Sequence, residues 1–143
     1  KLLDNPMFLV ASPGYLAEYG APQKPADLVR HNCLIYSSLE SINHRRFTRK
    51  AEDYHVRVSG SLQSDNGDTL LEGALAGLGL LVLPKWMIHS HLESGALQLV
   101  MREFKPPPLA IYAVYPQRRF LPTRVRCFVD FLSEQFASNR ALR

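Results

Sequence analysis

The chain has 143 residues, 46% of them hydrophobic and 21% charged, with two cysteines and a formal net charge of +4. This is ordinary globular usage: it excludes a disordered tail, a collagen-like fibre and a disulfide scaffold, and it predicts one domain that buries about two-thirds of its unfolded surface. The longest apolar stretch, residues 78–84, falls far short of the roughly 18 residues that span a bilayer, and the opening residues lack a signal peptide's apolar core, so neither insertion nor export is expected.

In chain order, Lys1 stands where a methionine would begin a protein, and a strand-like run follows almost at once, as expected for a piece of a longer protein entered in mid-fold. Met7–Ala11 is continuously apolar, the pattern of a strand covered on both faces. Ser12 followed by Pro13 is a helix cap with proline at the first helical position, predicting a short helix to Tyr19 that stops at Gly20. Residues 25–31 read as one or two helical turns. Short strands are expected at residues 33–37 and 46–49, flanking a polar loop at 38–44. Residues 55–63 alternate, with Val56, Val58, Gly60 and Leu62 on one side and Arg57, Ser59, Ser61 and Gln63 on the other, which predicts a half-exposed strand.

Ser64-Asp65-Asn66-Gly67-Asp68 then reads as a helix start. Asn66 or Asp65 can accept a hydrogen bond from a first-turn amide, and Asp68 complements the positive end of the dipole. Leu70, Leu71, Ala74, Leu75 and Leu78 give the buried stripe, while Gly73, Ala76 and Gly77 form a flank of small residues that suits either core packing or a subunit contact. Residues 80–83 are a second buried strand. Pro84 opens another helix, running to Ser94 with Met87, Ile88 and Leu92 inward and Gly95 as its stop. A short strand at residues 97–101 and the stiff connector Pro106-Pro107-Pro108 lead to a third fully covered strand at 109–115. The last helix, after Leu121-Pro122-Thr123, carries the strongest amphipathic signal, with Val125, Phe128, Val129, Leu132 and Phe136 on one face. Alternating strands and helices, joined at Gly or Pro, predict an α/β layered domain.

The charge is uneven: residues 1–71 hold eight basic and eight acidic side chains, residues 72–143 nine and five. The densest basic cluster is Arg118, Arg119, Arg124 and Arg126, which suits phosphate contacts or a solvated helix edge; no recognition-helix, zinc-finger or stacking pattern accompanies it. Cys33 and Cys127 make neither a metal pair nor a disulfide framework, and reduced, buried thiols are expected. Among His31, His44, His55, His89 and His91 no pair has helical metal spacing, so no metal is expected. With no phosphate loop, dinucleotide fingerprint or nucleophile elbow, no cofactor is expected either. The informative features are the two polar helix starts, Ser12-Pro13 and Ser64-Asp65-Asn66-Gly67, each read as following a strand; they serve as caps or as binding loops of an open α/β sheet.

These segments together resemble one family. Phe8-Leu9-Val10-Ala11-Ser12-Pro13-Gly14-Tyr15-Leu16, Pro25-Ala26-Asp27-Leu28 before His31-Asn32-Cys33-Leu34, and Ser64-Asp65-Asn66-Gly67-Asp68-Thr69-Leu70 running into Gly77-Leu78-Gly79-Leu80-Leu81-Val82-Leu83-Pro84 are similar to the effector-binding region of LysR-type transcriptional regulators. So are Ile111-Tyr112-Ala113-Val114-Tyr115-Pro116, Leu121-Pro122 and Val125-Arg126-Cys127-Phe128-Val129-Asp130-Phe131-Leu132.

The resemblance implies a type 2 periplasmic-binding-protein-like α/β fold: residues 12–114 as the second lobe, and 1–11 and 115–143 as crossover and returning first-lobe strand and helix. The N-terminal winged helix-turn-helix and most of the first lobe would lie outside the chain. It implies a non-enzymatic, cytoplasmic sensor with a small-molecule effector, possible anionic character included, bound by Ser12, Pro13, Ser64, Asp65, Asn66 and Gly67, with Leu83 and Pro84 as lesser candidates and Phe47 as cleft wall or core. It also implies a homodimer or homotetramer with Gly73, Ala76 and Gly77 as a contact, DNA bound only through the missing domain, and no membrane partner. Two rivals stand beside this reading: an exported solute-binding protein of the same fold, and an enzyme that uses Cys33 or a histidine.

Overall fold

The computed structural model describes residues 1–38, 43–115 and 122–138. Along the chain run β1 (Leu3–Asn5), β2 (Met7–Ala11), α1 (Pro13–Tyr19), a 3-10 helix (Pro25–Arg30), β3 (Ile35–Tyr36), β4 (His44–Arg49), β5 (Glu52–Arg57), β6 (Gln63–Ser64), α2 (Gly67–Leu75), β7 (Leu81–Pro84), α3 (Lys85–Glu93), β8 (Gln98–Leu99), β9 (Leu109–Ile111) and α4 (Thr123–Ser138).

The central sheet is assembled around β2. It pairs antiparallel with β7 (Met7 opposite Pro84, Val10 opposite Leu81) and with β8. A parallel bridge from Leu80 to Cys33 continues the sheet: Leu34 N–H donates to Leu80 O at 2.8 Å and Leu80 N–H to Asn32 O at 2.9 Å. Because β3 also pairs in parallel with β6, the order is β6-β3-β7-β2-β8 with only β2 reversed. The continuous apolar runs have their physical reason here. Leu9 and Ala11 of β2 join one buried cluster with Tyr15, Leu28, Phe47, Val56 and Leu80, while Val10 joins another with Leu34, Leu70, Leu71, Leu81 and Ile88. Alternate side chains of one strand therefore enter different cores, and each fully buried Leu or Val contributes roughly 1.5–3 kcal/mol.

Several expectations are corrected. The alternation at 55–63 is not one strand: β5 pairs with β4 in a hairpin, and β6 pairs with β3. Between them the chain turns inward, because Gly60 lies so close to Cys33 that an added Cβ would sit 1.8 Å from the Cys33 carbonyl oxygen. Leu78 is 46% exposed and leaves the α2 stripe; its inward place is taken by Gly73, whose added Cβ would meet Leu62 Cδ2 at 2.8 Å. Gly73 therefore packs on the sheet and is no surface contact. Phe47 is 0% exposed, which makes it core and not a cleft wall. Pro84 ends β7 and caps α3, which therefore begins at Lys85, one place later than expected. The strand at 109–115 shortens to β9, paired with β1, and its apolar residues are not covered: Val114 is 93% exposed. No residue of α4 is buried, and Phe128 and Phe131 of its apolar side stand open. Most of the polar loop at 38–44, and Arg118 and Arg119 of the basic cluster, lie outside the described residues; Arg124 and Arg126 are exposed on α4.

Gly79 sits as tightly as Gly60, since an added Cβ would lie 2.1 Å from the Asn32 carbonyl oxygen, whereas Gly14 has nothing within 4 Å. Denaturant unfolding should show Gly79→Ala losing about 3 kcal/mol through forced backbone movement. Gly14→Ala, in the first turn of α1, should be neutral or gain about 0.5 kcal/mol.

Candidate functional site

The sheet has two edges of different character. At the upper edge, β3, β6 and β7 end and β2 begins, so Tyr36, Ser64, Pro84 and Met7 lie along one side. Here α2 and α3 start. Ser64 Oγ accepts from Asn66 N–H at 3.0 Å, and Asn66 Oδ1 accepts from Asp68 N–H at 2.9 Å and Thr69 N–H at 3.2 Å, so Asn66 is the N-cap of α2. The two helix starts approach each other through Gly67, whose open face is met by Met87 Cε of α3 at 3.1 Å from a built Cβ. The crossover segment is tied to the same place by Lys85 N–H donating to Pro6 O at 3.2 Å. Asp65 and Asn66 are exposed, Ser64 and Gly67 half-buried, and Trp86 stands 50% exposed on the first turn of α3. Amides at helix starts, an amide side chain and a hydroxyl together offer donors to an anionic or carbonyl group. Leu83 and Pro84 are buried, and Leu83 belongs to the core, so neither presents a free surface to a ligand.

Ser12 and Pro13 are not at this edge. β2 runs against its neighbours, so its end, and the α1 start that follows it, lie at the opposite, lower edge. Ser12 is 5% exposed, its Oγ accepts from Tyr15 N–H at 3.1 Å, and it faces Gly77 past the end of α2. The nine residues of α2 separate it from Asn66 by about 13 Å at 1.5 Å per residue. The grouping of Ser12 and Pro13 with Ser64–Asn66 around one ligand is therefore not what this lobe builds: antiparallel β2 reverses the rule that helix starts follow strands at a common edge. Instead Ser12 and Pro13 line a hollow of about 460 Å³ with Tyr15, Glu18, Ala76 and Gly77.

The lower edge also holds polar residues that no sequence motif marks. Asn32 Nδ2 donates to Leu78 O at 2.7 Å and to Ser61 Oγ at 2.9 Å, while its Oδ1 accepts from Ser61 N–H at 2.7 Å. Tyr15 Oη accepts from Asn32 N–H at 3.2 Å and lies 2.9 Å from His31 Nδ1. Away from this edge, Asn5 of β1, beside the crossover residue Pro6, is only 3% exposed, and its side-chain oxygen has no hydrogen-bond partner among the described residues. Nothing local in the sequence marks Tyr15 and Asn32, because their partners lie 16 to 46 residues away.

Catalytic alternatives find little to use. Burial pushes the Cys33 thiol up to about 11, so it stays protonated near neutral pH. Among the described residues no group of three or more His, Cys, Asp or Glu side chains converges as a metal site, and His89 pairs with Glu93 at 3.4 Å along one helix. No described helix is long and apolar enough to cross a membrane.

Comparison with known proteins gives a consistent result. The family described as the LysR substrate binding domain matches residues 1–137. An uncharacterized HTH-type transcriptional regulator of Haemophilus influenzae is 35% identical over 125 residues, covering 87% of this chain and 43% of that protein. The HTH-type transcriptional regulator PtxR of Pseudomonas aeruginosa is 33% identical over 134 residues, covering 94% and 43%. The chain thus spans less than half the length of these curated relatives. Among solved structures, the full-length virulence activator AphB of Vibrio cholerae superposes with a TM-score of 0.81 at 27% identity, covering 94% of this chain and 46% of that one. The regulatory domain of CrgA from Neisseria meningitidis gives 0.72 at 28% identity, covering 94% and 66%.

The contrast between the two thiols is open to direct measurement. Near neutral pH a maleimide should label exposed Cys127 of this chain readily, and buried Cys33 at least about tenfold more slowly than in the unfolded chain. Rapid labelling of Cys33 in the folded protein would return the nucleophilic-cysteine reading to consideration.

Proposed function

The chain belongs to the LysR substrate-binding domain family and has its type 2 periplasmic-binding-protein-like α/β fold, and from this premise we propose that it is the ligand-sensing part of a cytoplasmic, DNA-binding transcriptional regulator. The second lobe runs from β2 through β8, starting and ending earlier than the expected 12–114, because β2 is the middle strand of its sheet and β9 pairs with β1 apart from that sheet; β1, β9 and α4 supply the crossover and the returning first-lobe segments. What carries this division is the unequal burial of the chain. The sheet between β6 and β8 is covered on both faces, whereas β9, the residues just after it and α4 expose Leu109, Tyr112, Val114, Phe128 and Phe131. An apolar face of that extent normally has cover, and a first lobe preceding Lys1 would supply it.

The effector site in this reading is the upper edge, where Ser64, Asp65, Asn66 and Gly67 face the start of α3 and the crossover. A small molecule bound between this edge and a first lobe would favour one arrangement of the lobes, and through them one placement of paired helix-turn-helix domains. DNA is then contacted by the N-terminal domain alone. The hollow at the lower edge, with Ser12, Pro13, Ala76 and Gly77, is assigned to the contact between subunits of a homodimer or homotetramer; its small residues let another element approach closely.

Two measurements test this. Coding DNA upstream of Lys1 should specify roughly 150 residues with a helix-turn-helix; a signal peptide there would overturn the regulator reading. In the full-length protein, thermal shift against a panel of small carboxylates, amides, sugars and sulfate should find a stabilising ligand, and Asn66→Ala should abolish most of that shift. Ligand-free operator binding should stay within about twofold, even though loss of the cap costs about 1 kcal/mol of stability. Asn66→Ser keeps a capping oxygen, so a lost response in that variant belongs to the amide. Loss of ligand-free operator binding in both variants would refute the role.

A further inference from the structure

The lower edge contains a hydrogen-bond chain that only one protonation state satisfies. The backbone N–H of Asn32 donates to Tyr15 Oη at 3.2 Å, so the tyrosine's own hydrogen must go elsewhere. Tyr15 is 2% exposed, and its other hydrogen-bond partner is His31 Nδ1 at 2.9 Å. Nδ1 accepts that hydrogen only while it carries none, with the ring proton on Nε2. A second proton on His31 makes Nδ1 a donor: the hydroxyl hydrogen of buried Tyr15 then loses its acceptor, and a buried unsatisfied polar group is costly.

Tyr15 is the one buried residue of α1, and it lines the hollow beside Ser12 and Gly77. Its neighbour Asn32 ties residues 61, 78 and 80 together. A disturbance at His31 therefore reaches the anchor of α1 directly. We propose that Tyr15, His31 and Asn32 form a proton-operated latch, which with His31 neutral pins α1 to the lower edge and on protonation of His31 releases α1 and opens the hollow.

The surroundings set the direction. His31 is held below the ordinary imidazole range, chiefly by burial; Asp27 of the 3-10 helix works against this and Arg30 with it. Asp27 is already engaged by the N–H groups of Gln23 and Lys24. On α1, Tyr19 stacks on Tyr15 at 4.8 Å and Glu18 is exposed at the hollow's rim. Cys33 follows as a buried, protonated thiol. β5 packs on the 3-10 helix; there Asp53 is taken by Arg46 and Thr48, Glu52 by Tyr54, and His55 and Arg57 are exposed. With a folded-state pKa below the unfolded one, the unfolded or released form binds more protons. The closed latch is thus fully favoured above about pH 6.5 and is lost as pH falls from there through the folded value.

Hydrogen exchange of the full-length protein, corrected for intrinsic rates and compared at about pH 7.5 and about pH 5.5, tests the latch through local opening. On acidification, protection across residues 12–19 and 31–34 should fall about tenfold in the natural protein while residues 81–84 keep theirs. His31→Gln offers Tyr15 a non-titrating acceptor and should keep the protection at both pH values. Tyr15→Phe keeps the ring but not the hydroxyl, and should already show the open rate at the higher pH with no further change on acidification. An equal fall in the natural protein and in His31→Gln, or a full pH response in Tyr15→Phe, would overturn the latch.

Discussion

The architecture turns on one side chain. Asn32 spends both amide hydrogens and its oxygen across the lower edge, reaching Ser61 and Leu78, while its backbone carbonyl receives Leu80 N–H. Buried or semi-buried amide groups with several partners specify register, because any slip leaves them unsatisfied. The clamp holds β3 between β6 and β7, and the approach is so close that residues 60 and 79 must be glycine. With these strands aligned at their starts, their ends are aligned as well. Those ends carry the starts of α2 and α3.

The two edges then divide the work. The upper edge collects exposed helix-start amides, the Asn66 cap and the crossover, all open toward the side where β1 and β9 lead away from the sheet. At the lower edge the polar groups are consumed in holding segments to one another, and Tyr15, His31 and Asn32 close the end of α1. A ligand arriving at the upper edge meets groups with solvent on one side; a proton arriving at the lower edge meets a chain already saturated. If both proposed sites operate, one lobe responds to two chemically different signals at sites separated by the length of α2.

Much of this was legible in the residues. Ser12-Pro13, Asn66 and Pro84 mark their helix starts because capping is local chemistry, settled within three or four residues. The run of β2 announced a strand buried on both faces, since neither set of alternating side chains carries charge. Phe47 could not be placed by sequence: an aromatic residue between arginines in a hairpin reads alike as wall or as core. Gly73 misled for a related reason, since a small residue marks close approach without saying by what, and here the neighbours are Leu34 and Leu62 of its own lobe.

By itself, then, the sequence determined the helix starts and their caps, the buried strands β2 and β7 and the family resemblance, because each rests on neighbours within a turn or a strand. Tertiary structure alone decided which of them meet. The antiparallel course of β2 sends Ser12 and Asn66 to opposite edges, although both open helices with the same type of cap. The partners of Asn32 lie 29 and 46 residues away. Strand direction and such distant pairings are set by how whole layers pack, and no local pattern of residues encodes them.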